Sequence, residues 1–319
     1  MLRIDLRVTR ALFILVMLLA VTGCEAPLNL KGVEEVSERP VKRFDQFLSA
    51  AKNEKVTVAV SSAGSVLVTA DEGKQWTRHD LPGAPNLIEI ASCPDGSFAA
   101  LDTMRKVWIS ANDGNTWNEK GIDTAESMTT LACDSENRIW AGGSFTTLLS
   151  SADRGETWET TSFEEDAMFT DLQFVDSQFG VAVGEFGTVV FTEDGGESWE
   201  IGPSIANEFY PQATLFLDRE NGYVVGLNGK ILRTSDGAAS WAYEDTPTDA
   251  PLYGLAKQGM ELFVVGEGGV MLQRKGERWE RVEHDKPVRS YLRAALPVGG
   301  QELLIAGGAG ALFLVSTHN

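Results

Sequence analysis

One short box of residues recurs through most of the chain. It occurs as TADEGKQW at 69–76, SANDGNTW at 110–117, SADRGETW at 151–158, TEDGGESW at 192–199 and TSDGAASW at 234–241. A weaker copy, QRKGERW, ends at Trp279, so the closing tryptophans are separated by 41, 41, 41, 42 and 38 residues. Self-similarity at about 40–45 residues is typical of β-propellers, in which each repeat forms one four-stranded blade.

The residues around the fourth box show what one blade contains. The alternating FTDLQFV at 169–175 predicts a first strand, and GVAVG at 180–184 predicts a second. A short turn at 185–187 leads to a third strand, TVVFT at 188–192, and WEI at 199–201 opens a fourth after the box. Each repeat therefore predicts four short strands.

The third-strand pattern counts the blades. It occurs seven times, at 64–69, 105–110, 145–150, 187–192, 229–234, 269–273 and 310–315. Residues 44–52 are predicted to hold the inner strand of the first blade, because FLSAAKNEKVTVAVSSAG matches YGLAKQGMELFVVGEGG. No box follows the seventh pattern, so Gly32–Ser37 is predicted to pair as the outer strand of the last blade and close the ring. The sequence thus predicts an all-β, seven-bladed β-propeller over 32–319 as a single domain.

Residues 1–23 are predicted to be a lipoprotein signal peptide. Arginines at positions 3, 7 and 10 precede the apolar run Ala11–Val21, which is too short for a stable membrane span. The run ends in VTGC, and this ending resembles a bacterial lipobox, in which Cys24 would be lipidated. Residues 24–31 would form a short tether at the envelope, facing the periplasm. Glu25 in place of Asp after the cysteine favours the outer membrane.

Composition limits the classes of partner. The formal charge is −19 and the pI about 4.6, which argues against nucleic acid or an anionic lipid surface as a partner. The three histidines, at 79, 284 and 318, are scattered, so no metal or other cofactor is expected. Cys93 and Cys133 lie one repeat apart at a core position; a disulfide is conceivable, but equivalent positions on adjacent blades favour two buried thiols. A monomer is expected.

The box residues have a structural explanation. The Asp can accept hydrogen bonds from the N–H groups of its turn, the Gly supplies a backbone shape that a side chain opposes, and the Trp buries a large apolar surface. One carboxylate per blade is too few for Ca²⁺. The residues with these roles are Asp71, Gly73, Trp76, Asn112, Gly114, Trp117, Asp153, Gly155, Trp158, Asp194, Gly196, Trp199, Asp236, Trp241, Gly276 and Trp279.

The boxes resemble the Asp-box (BNR) repeats of sialidases and other propellers. Joined to the preceding strand, as in GEFGTVVFTEDGGESW, they are more similar to the photosystem II stability/assembly-factor-like family. That resemblance implies a seven-bladed propeller that holds membrane subunits during assembly through a basic patch. This chain has no basic run to match, so the resemblance assigns no functional residue.

Two functions follow as hypotheses. The first is a non-enzymatic protein-binding platform for an envelope or membrane protein, and the alternative is a sialidase-like glycoside hydrolase using the propeller face. For the platform, the binding residues are expected among those that differ between repeats, although any single aromatic here can instead belong to the core. These candidates are Arg105, Phe145, Phe163, Met168, Phe169, Phe186, Phe209, Tyr210, Asn228, Tyr253, Arg289 and Tyr291.

Overall fold

A computed structural model describes residue 32 and residues 37–206, 209–284 and 286–317 of the chain. The chain divides into two compact units, Met1–Arg39 and Pro40–Asn319. The predicted signal peptide, Cys24 and the tether lie outside the described residues and stay predictions. No described helix is both long and apolar enough to cross a membrane.

The second unit consists of seven antiparallel sheets, and each is formed by consecutive strands. The first three blades comprise β1 (Phe47–Lys52), β2 (Thr57–Ser61), β3 (Ser65–Thr69) and β4 (Thr77–Asp80); β5 (Leu87–Ser92), β6 (Phe98–Asp102), β7 (Lys106–Ser110) and β8 (Asn118–Gly121); and β9 (Met128–Cys133), β10 (Ile139–Gly143), β11 (Thr147–Ser151) and β12 (Glu159–Ser162). β1 confirms that residues 44–52 contain the inner strand of the first blade.

The remaining four blades follow the same order. They comprise β13 (Phe169–Phe174), β14 (Gly180–Gly184), β15 (Thr188–Thr192) and β16 (Glu200–Ile201); β17 (Pro211–Phe216), β18 (Gly222–Gly226), β19 (Ile231–Thr234) and β20 (Ala242–Glu244); β21 (Leu252–Gln258), β22 (Glu261–Gly266), β23 (Met271–Lys275) and β24 (Arg278–Arg281); and β25 (Leu292–Gly299), β26 (Glu302–Gly307) and β27 (Leu312–Ser316). The seven-bladed, all-β prediction is confirmed.

The last blade has three strands among the described residues. The predicted closing strand at 32–37 is not seen there, because 33–36 lie outside the described residues and Gly32 and Ser37 have helical backbone. The ring is closed by direct packing of the seventh blade on the first. Gly310 N–H donates to Asp45 O at 2.8 Å, and the Tyr291 hydroxyl donates to Gln46 Oε1 at 3.1 Å.

The hydrophobic core is divided into clusters that lie between consecutive blades. One cluster joins Trp140 of the third blade to Phe169, Phe174 and Trp199 of the fourth. The rings of Trp140 and Trp199 meet edge to face with centroids 5.5 Å apart, a favoured aromatic geometry. Because each blade buries an apolar face against its neighbour, no blade completes its core alone.

The box stabilises its own turn with hydrogen bonds. In the fourth blade, Thr192 Oγ1 accepts from Gly196 N–H at 2.8 Å and donates to Asp194 Oδ1 at 2.8 Å. The other donors to Asp194 are Ser198 N–H at 2.9 Å and the Ser198 hydroxyl at 2.6 Å. These hydrogen bonds, led by that of the Ser198 hydroxyl, lower the pKa of Asp194 to about 2. The oxygens of the Asp194 carboxylate therefore already accept hydrogen bonds from residues of the turn in which Asp194 lies.

The box glycine also packs against the preceding blade. A Cβ on Gly196 would lie 2.5 Å from Cζ2 of Trp140, and one on Gly114 would lie 2.9 Å from Cγ2 of Val68. At the seam of the ring, a Cβ on Gly73 would lie 3.1 Å from Cδ2 of Leu314 in the seventh blade. The box is thus a contact between blades as well as a turn.

Cys93 and Cys133 form a disulfide, so the prediction of two separate thiols is wrong. Cys133 ends the inner strand β9, and Cys93 directly follows the inner strand β5. Inner strands of adjacent blades converge near the propeller axis, and the two Cα atoms are 5.1 Å apart, within the range that a disulfide spans. The bond therefore links the second and third blades at the core.

Candidate functional site

The loops that lead into each blade and the turns between second and third strands lie on one face of the ring. Backbone bonds between them include Thr146 N–H to Ala167 O at 2.8 Å and Glu185 N–H to Met168 O at 2.9 Å. We call this surface the loop face. It contains the residues that differ between repeats, in contrast to the shared boxes.

Two phenylalanines on the loop face have an unusual backbone. Phe145 and Phe186 each occupy the middle of a second-to-third-strand turn, with φ of 52° and 58°. A left-handed conformation costs a non-glycine residue roughly 1–2 kcal/mol, and the sixth blade has Gly268 at the corresponding position. The side chains are also 51% and 56% exposed, so neither burial nor backbone preference favours phenylalanine there. Asn228 and Ala309 have the same backbone in the equivalent turns, each with a φ of 57°, so the left-handed turn belongs to the repeat and the exposed aromatic rings are what distinguish Phe145 and Phe186.

The other candidate residues fall into three groups by exposure. Arg105, Asn228 and Arg289 are exposed, while Phe163, Met168, Tyr210, Tyr253 and Tyr291 are half-buried. Phe169 and Phe209 are buried, with 0% and 3% exposure, so they belong to the core and not to the binding surface. Phe169 begins its inner strand and packs edge to face on Phe163, which explains its burial.

Three tyrosines of the loop face donate hydrogen bonds to polar residues there. Tyr210 donates to Glu185 Oε1 at 2.6 Å, and Tyr253 donates to Glu267 Oε2 at 3.2 Å. The third is the bond from Tyr291 to Gln46 at the seam. Burial, together with the hydrogen bond and charge of Glu185, raises the pKa of Tyr210 to about 12. That phenol therefore stays protonated at neutral pH and is a poor nucleophile.

A crevice of about 290 Å³ with a mixed polar and apolar lining opens beside Phe186, between the third and fourth blades. Its apolar lining includes Phe163, Phe186 and Ile201, and Ile201 is 59% exposed. Glu165 and Asp166 also line it, and both are exposed. The crevice thus combines apolar side chains with hydroxyl groups and two carboxylates.

A ring of β-bulges surrounds the mouth of the central channel. In every blade the pairing of the inner strand with the second strand skips one residue near the start of the inner strand, which is left out of the hydrogen-bond ladder. The seventh blade skips a second residue, Val298, near the end of β25. Bulges of this kind redirect a side chain, and they are frequent near functional sites. The seven residues skipped near the starts of the inner strands, which we call the bulge ring, are Leu48, Ile88, Thr129, Thr170, Gln212, Tyr253 and Arg293.

Two carboxylates line the channel with the bulge ring. A cavity of about 250 Å³ is bordered by Glu89 and Asp171 together with Arg293. Burial raises the pKa of Glu89 to about 7, against the hydrogen bond that it accepts from Ser49, and the charge of Asp171 adds to the rise. Burial likewise raises the pKa of Asp171 to about 6, although it accepts a bond from Thr214 N–H at 2.6 Å.

Sequence reasoning missed this channel group. At the Glu89 and Asp171 position the other inner strands carry Ser49, Thr130, Ala213, Gly254 or Ala294. A repeat-by-repeat alignment of inner strands contains that signal, because two acids replace small residues at one register position. The bulges themselves are not visible in the hydrophobic pattern.

The fold and the loop face define a class: a seven-bladed Asp-box propeller whose shared residues are structural and whose differences collect on one face. The chain belongs to the family described as Photosynthesis system II assembly factor YCF48, whose sequence profile matches residues 47–167 and 204–317. No curated protein sequence matches the chain at a significant level.

Solved structures of similar shape include YCF48 from Cyanidioschyzon merolae, at 14% identity and a TM-score of 0.72 over 88% of this chain and 98% of that one. YCF48 bound to D1 peptide is similar at 16% identity and a TM-score of 0.72, over 88% and 94% of the two chains. A virginiamycin B lyase from Staphylococcus aureus with quinupristin has a TM-score of 0.73 at 10% identity, over 86% and 96%. At these identities the likeness concerns the fold alone, and the lyase shows that the fold also supports catalysis.

Proposed function

We propose that this chain is a non-enzymatic assembly factor of the cell envelope that binds a polypeptide segment of a membrane protein at its loop face. The family consists of assembly factors, and a YCF48 of the same fold has been solved with a D1 peptide. In our proposal the partner of this chain is a polypeptide other than D1, because the loop face of this chain carries acidic residues beside its exposed aromatic rings.

Phe145 and Phe186 are the observation on which the proposal depends. Both residues lie in left-handed turns of adjacent blades and expose an aromatic ring to solvent. Aromatic side chains of this kind anchor protein interfaces when a partner covers them. The crevice beside Phe186 adds a partly apolar recess in which a partner side chain can bury surface.

The charge around the crevice favours a basic segment. Glu164, Glu165 and Asp166 are exposed on the loop that borders it. No lysine or arginine lines the crevice among the described residues. A segment that carries apolar residues flanked by lysine or arginine would match both the walls and the rim, and rim charges of this kind mainly accelerate association.

Site-specific photo-crosslinking in intact envelopes tests the binding surface. A benzoylphenylalanine at position 186 is expected to capture one defined membrane protein, and Phe145→Ala in the same chain should weaken that capture. The matched control places the same crosslinker at Met260, which is 95% exposed in the turn between β21 and β22 at the opposite end of a blade. Equal capture from both positions would contradict the proposal.

The lipid anchor is a separate part of the proposal. Lipidation of Cys24 would hold the propeller at the periplasmic side of the envelope, with the outer membrane favoured, since two or more acyl chains give stable anchoring. Cys24→Ala is expected to move the protein from the membrane fraction to the soluble fraction. Retention of that variant in the membrane fraction would refute the anchor and leave the loop-face proposal intact.

A further inference from the structure

The bulge ring around the central channel contains one cationic side chain, and its other six members are neutral. Arg293 is the only charged member of the bulge ring, and its guanidinium carbon lies 5.7 Å from the centroid of the Tyr253 ring. It makes no hydrogen bond or ion pair with the residues that the structure describes. A guanidinium stacked on an aromatic ring is held in place while its N–H groups stay free to bind an anion, and carboxylates are bound in this way through two parallel hydrogen bonds.

The two carboxylates of the same cavity, Glu89 and Asp171, can still accept hydrogen bonds from a cationic group. Glu89 uses Oε1 to accept from the Ser49 hydroxyl and from Ile90 N–H, while Oε2 has no hydrogen-bond donor among the described residues. Asp171 accepts one bond on each oxygen, from Leu172 N–H and Thr214 N–H. A carboxylate oxygen can accept two bonds, so both groups can receive further donors.

Arg293 does not neutralise these carboxylates through a direct ion pair. Arg293 lines the same cavity as both groups and its charge lowers the pKa of each, yet no salt bridge joins it to either among the described residues. The charged groups that act on Glu89 are Asp171 and Arg293, and the one that acts on Asp171 is Arg293. The cavity therefore keeps an anion-binding group and a cation-binding group separate.

We propose that the central channel binds a small zwitterion of the amino acid class, with its ammonium group at Glu89 and Asp171 and its carboxylate at Arg293. The cavity of about 250 Å³ holds a small molecule, and Ser49, Thr170, Gln212 and Thr214 add neutral polar groups to its lining. A simple amine would leave Arg293 unused, and a simple carboxylate would face two carboxylates. Only a ligand with both charges satisfies the whole set, and this site does not depend on the proposed polypeptide partner.

Isothermal titration of the full chain with glycine and L-alanine tests the site at about pH 8, where the raised pKa values leave both carboxyl groups mostly ionised. Acetate and methylamine serve as the half-ligands, and each is expected to bind at least about tenfold more weakly than the amino acid, since each lacks one charge-assisted contact. Affinity should fall as the pH is lowered to about 5.5, because Glu89 and Asp171 then take up protons.

Three variants localise the site. Arg293→Gln and Glu89→Gln are each expected to weaken amino acid binding by at least about tenfold. Arg281→Gln, an exposed charge change on the outer strand β24, is the matched control and should bind as the parent does. If Glu89→Gln does not fold, Ser49→Ala replaces it, since it removes the donor that positions Glu89.

The outcomes divide cleanly. Loss of binding in Arg293→Gln with binding retained in Arg281→Gln supports the zwitterion site. Absence of binding for both amino acids at about 10 mM, methylamine or acetate binding as tightly as glycine, or unchanged affinity in Arg293→Gln would each overturn it. None of these results bears on photo-crosslinking from position 186, so the two proposals fail separately.

Discussion

The contact between Gly196 and Trp140 makes the role of the box measurable. Trp140 is 2% exposed, donates to Asp134 Oδ2 at 2.9 Å and packs between Phe174 and Trp199. A Cβ at Gly196 would lie 2.5 Å from one atom of the indole and 2.7 Å from another, closer than non-bonded carbon atoms approach. The Gly196→Ala variant must therefore shift the indole or the blade.

The expected loss combines two costs. The φ of Gly196 is +94°, and an alanine in left-handed backbone costs roughly 1–2 kcal/mol. Forcing extra volume into a packed core costs typically about 1–3 kcal/mol. Gly196→Ala should thus lower the free energy of unfolding by about 2–5 kcal/mol. Gly276→Ala is the matched control, because Gly276 has a φ of +64° and nothing within 4 Å of its Cβ position.

Equilibrium urea unfolding, followed by tryptophan fluorescence, measures both variants. The free energy of unfolding of Gly276→Ala should fall only by the cost of left-handed backbone for alanine, about 1–2 kcal/mol. Its native-state fluorescence should match that of the parent protein. Gly196→Ala should lose more and should also change the native emission, because the environment of Trp140 is altered. If the two variants lose equal stability, the box glycine is required for its backbone shape alone and the inter-blade contact contributes nothing.

Further predictions concern the disulfide, the box carboxylates and the exposed phenylalanines. Replacing Cys93 and Cys133 with alanine should lower stability by about 4 kcal/mol in the chain-entropy estimate for a separation of 40 residues; an unchanged urea midpoint would contradict this stabilisation. The pKa of Asp153 and of Asp194 is lowered to about 2, led by hydrogen bonds from Thr157 and Ser198, so both stabilise the fold above their ordinary pKa of 3.8 and lose that contribution as pH falls toward 2. Asp153→Asn should therefore flatten the acid limb of the stability profile, and an identical profile would contradict this. Phe186→Gly should raise stability by up to about 1 kcal/mol while reducing partner capture, since glycine tolerates the backbone there; a loss of stability would show that the ring packs usefully in the free protein.

The repeat allowed the blades to be counted from the sequence, because strand pattern, turn and box recur with one period. The strands of the fourth blade lie where alternation and glycine placed them, as in β14 and β15. Distances between residues of different blades could not be predicted from the repeat in the same way. Cys93 and Cys133 are one repeat apart in sequence, and only the convergence of inner strands at the axis brings their Cα atoms within 5.1 Å.

The site was predicted less completely than the fold. Exposure of Phe145 and Phe186 follows from their position in turns, which the sequence shows. Burial of Phe169 and Phe209 depends on what the neighbouring blade offers, and one repeat does not contain that information. The same limit hid Arg293, because a bulge changes where one side chain points without changing the residues around it.

The seven bulges have a consequence for how such a ring can diverge. A skipped residue takes no part in the ladder between inner and second strands, so replacing it leaves every strand-pairing bond in place. Positions as different as Leu48, Gln212 and Arg293 are already tolerated in one chain. The channel lining can therefore change one residue at a time without loss of a backbone bond of the ladder. The cost should be smallest at Leu48, Ile88 and Arg293, because the side chains of Thr129, Thr170 and Tyr253 also donate hydrogen bonds. Relatives with the same blades can thus acquire different ligands. A library restricted to these seven codons would sample binding chemistry while the architecture stays constant.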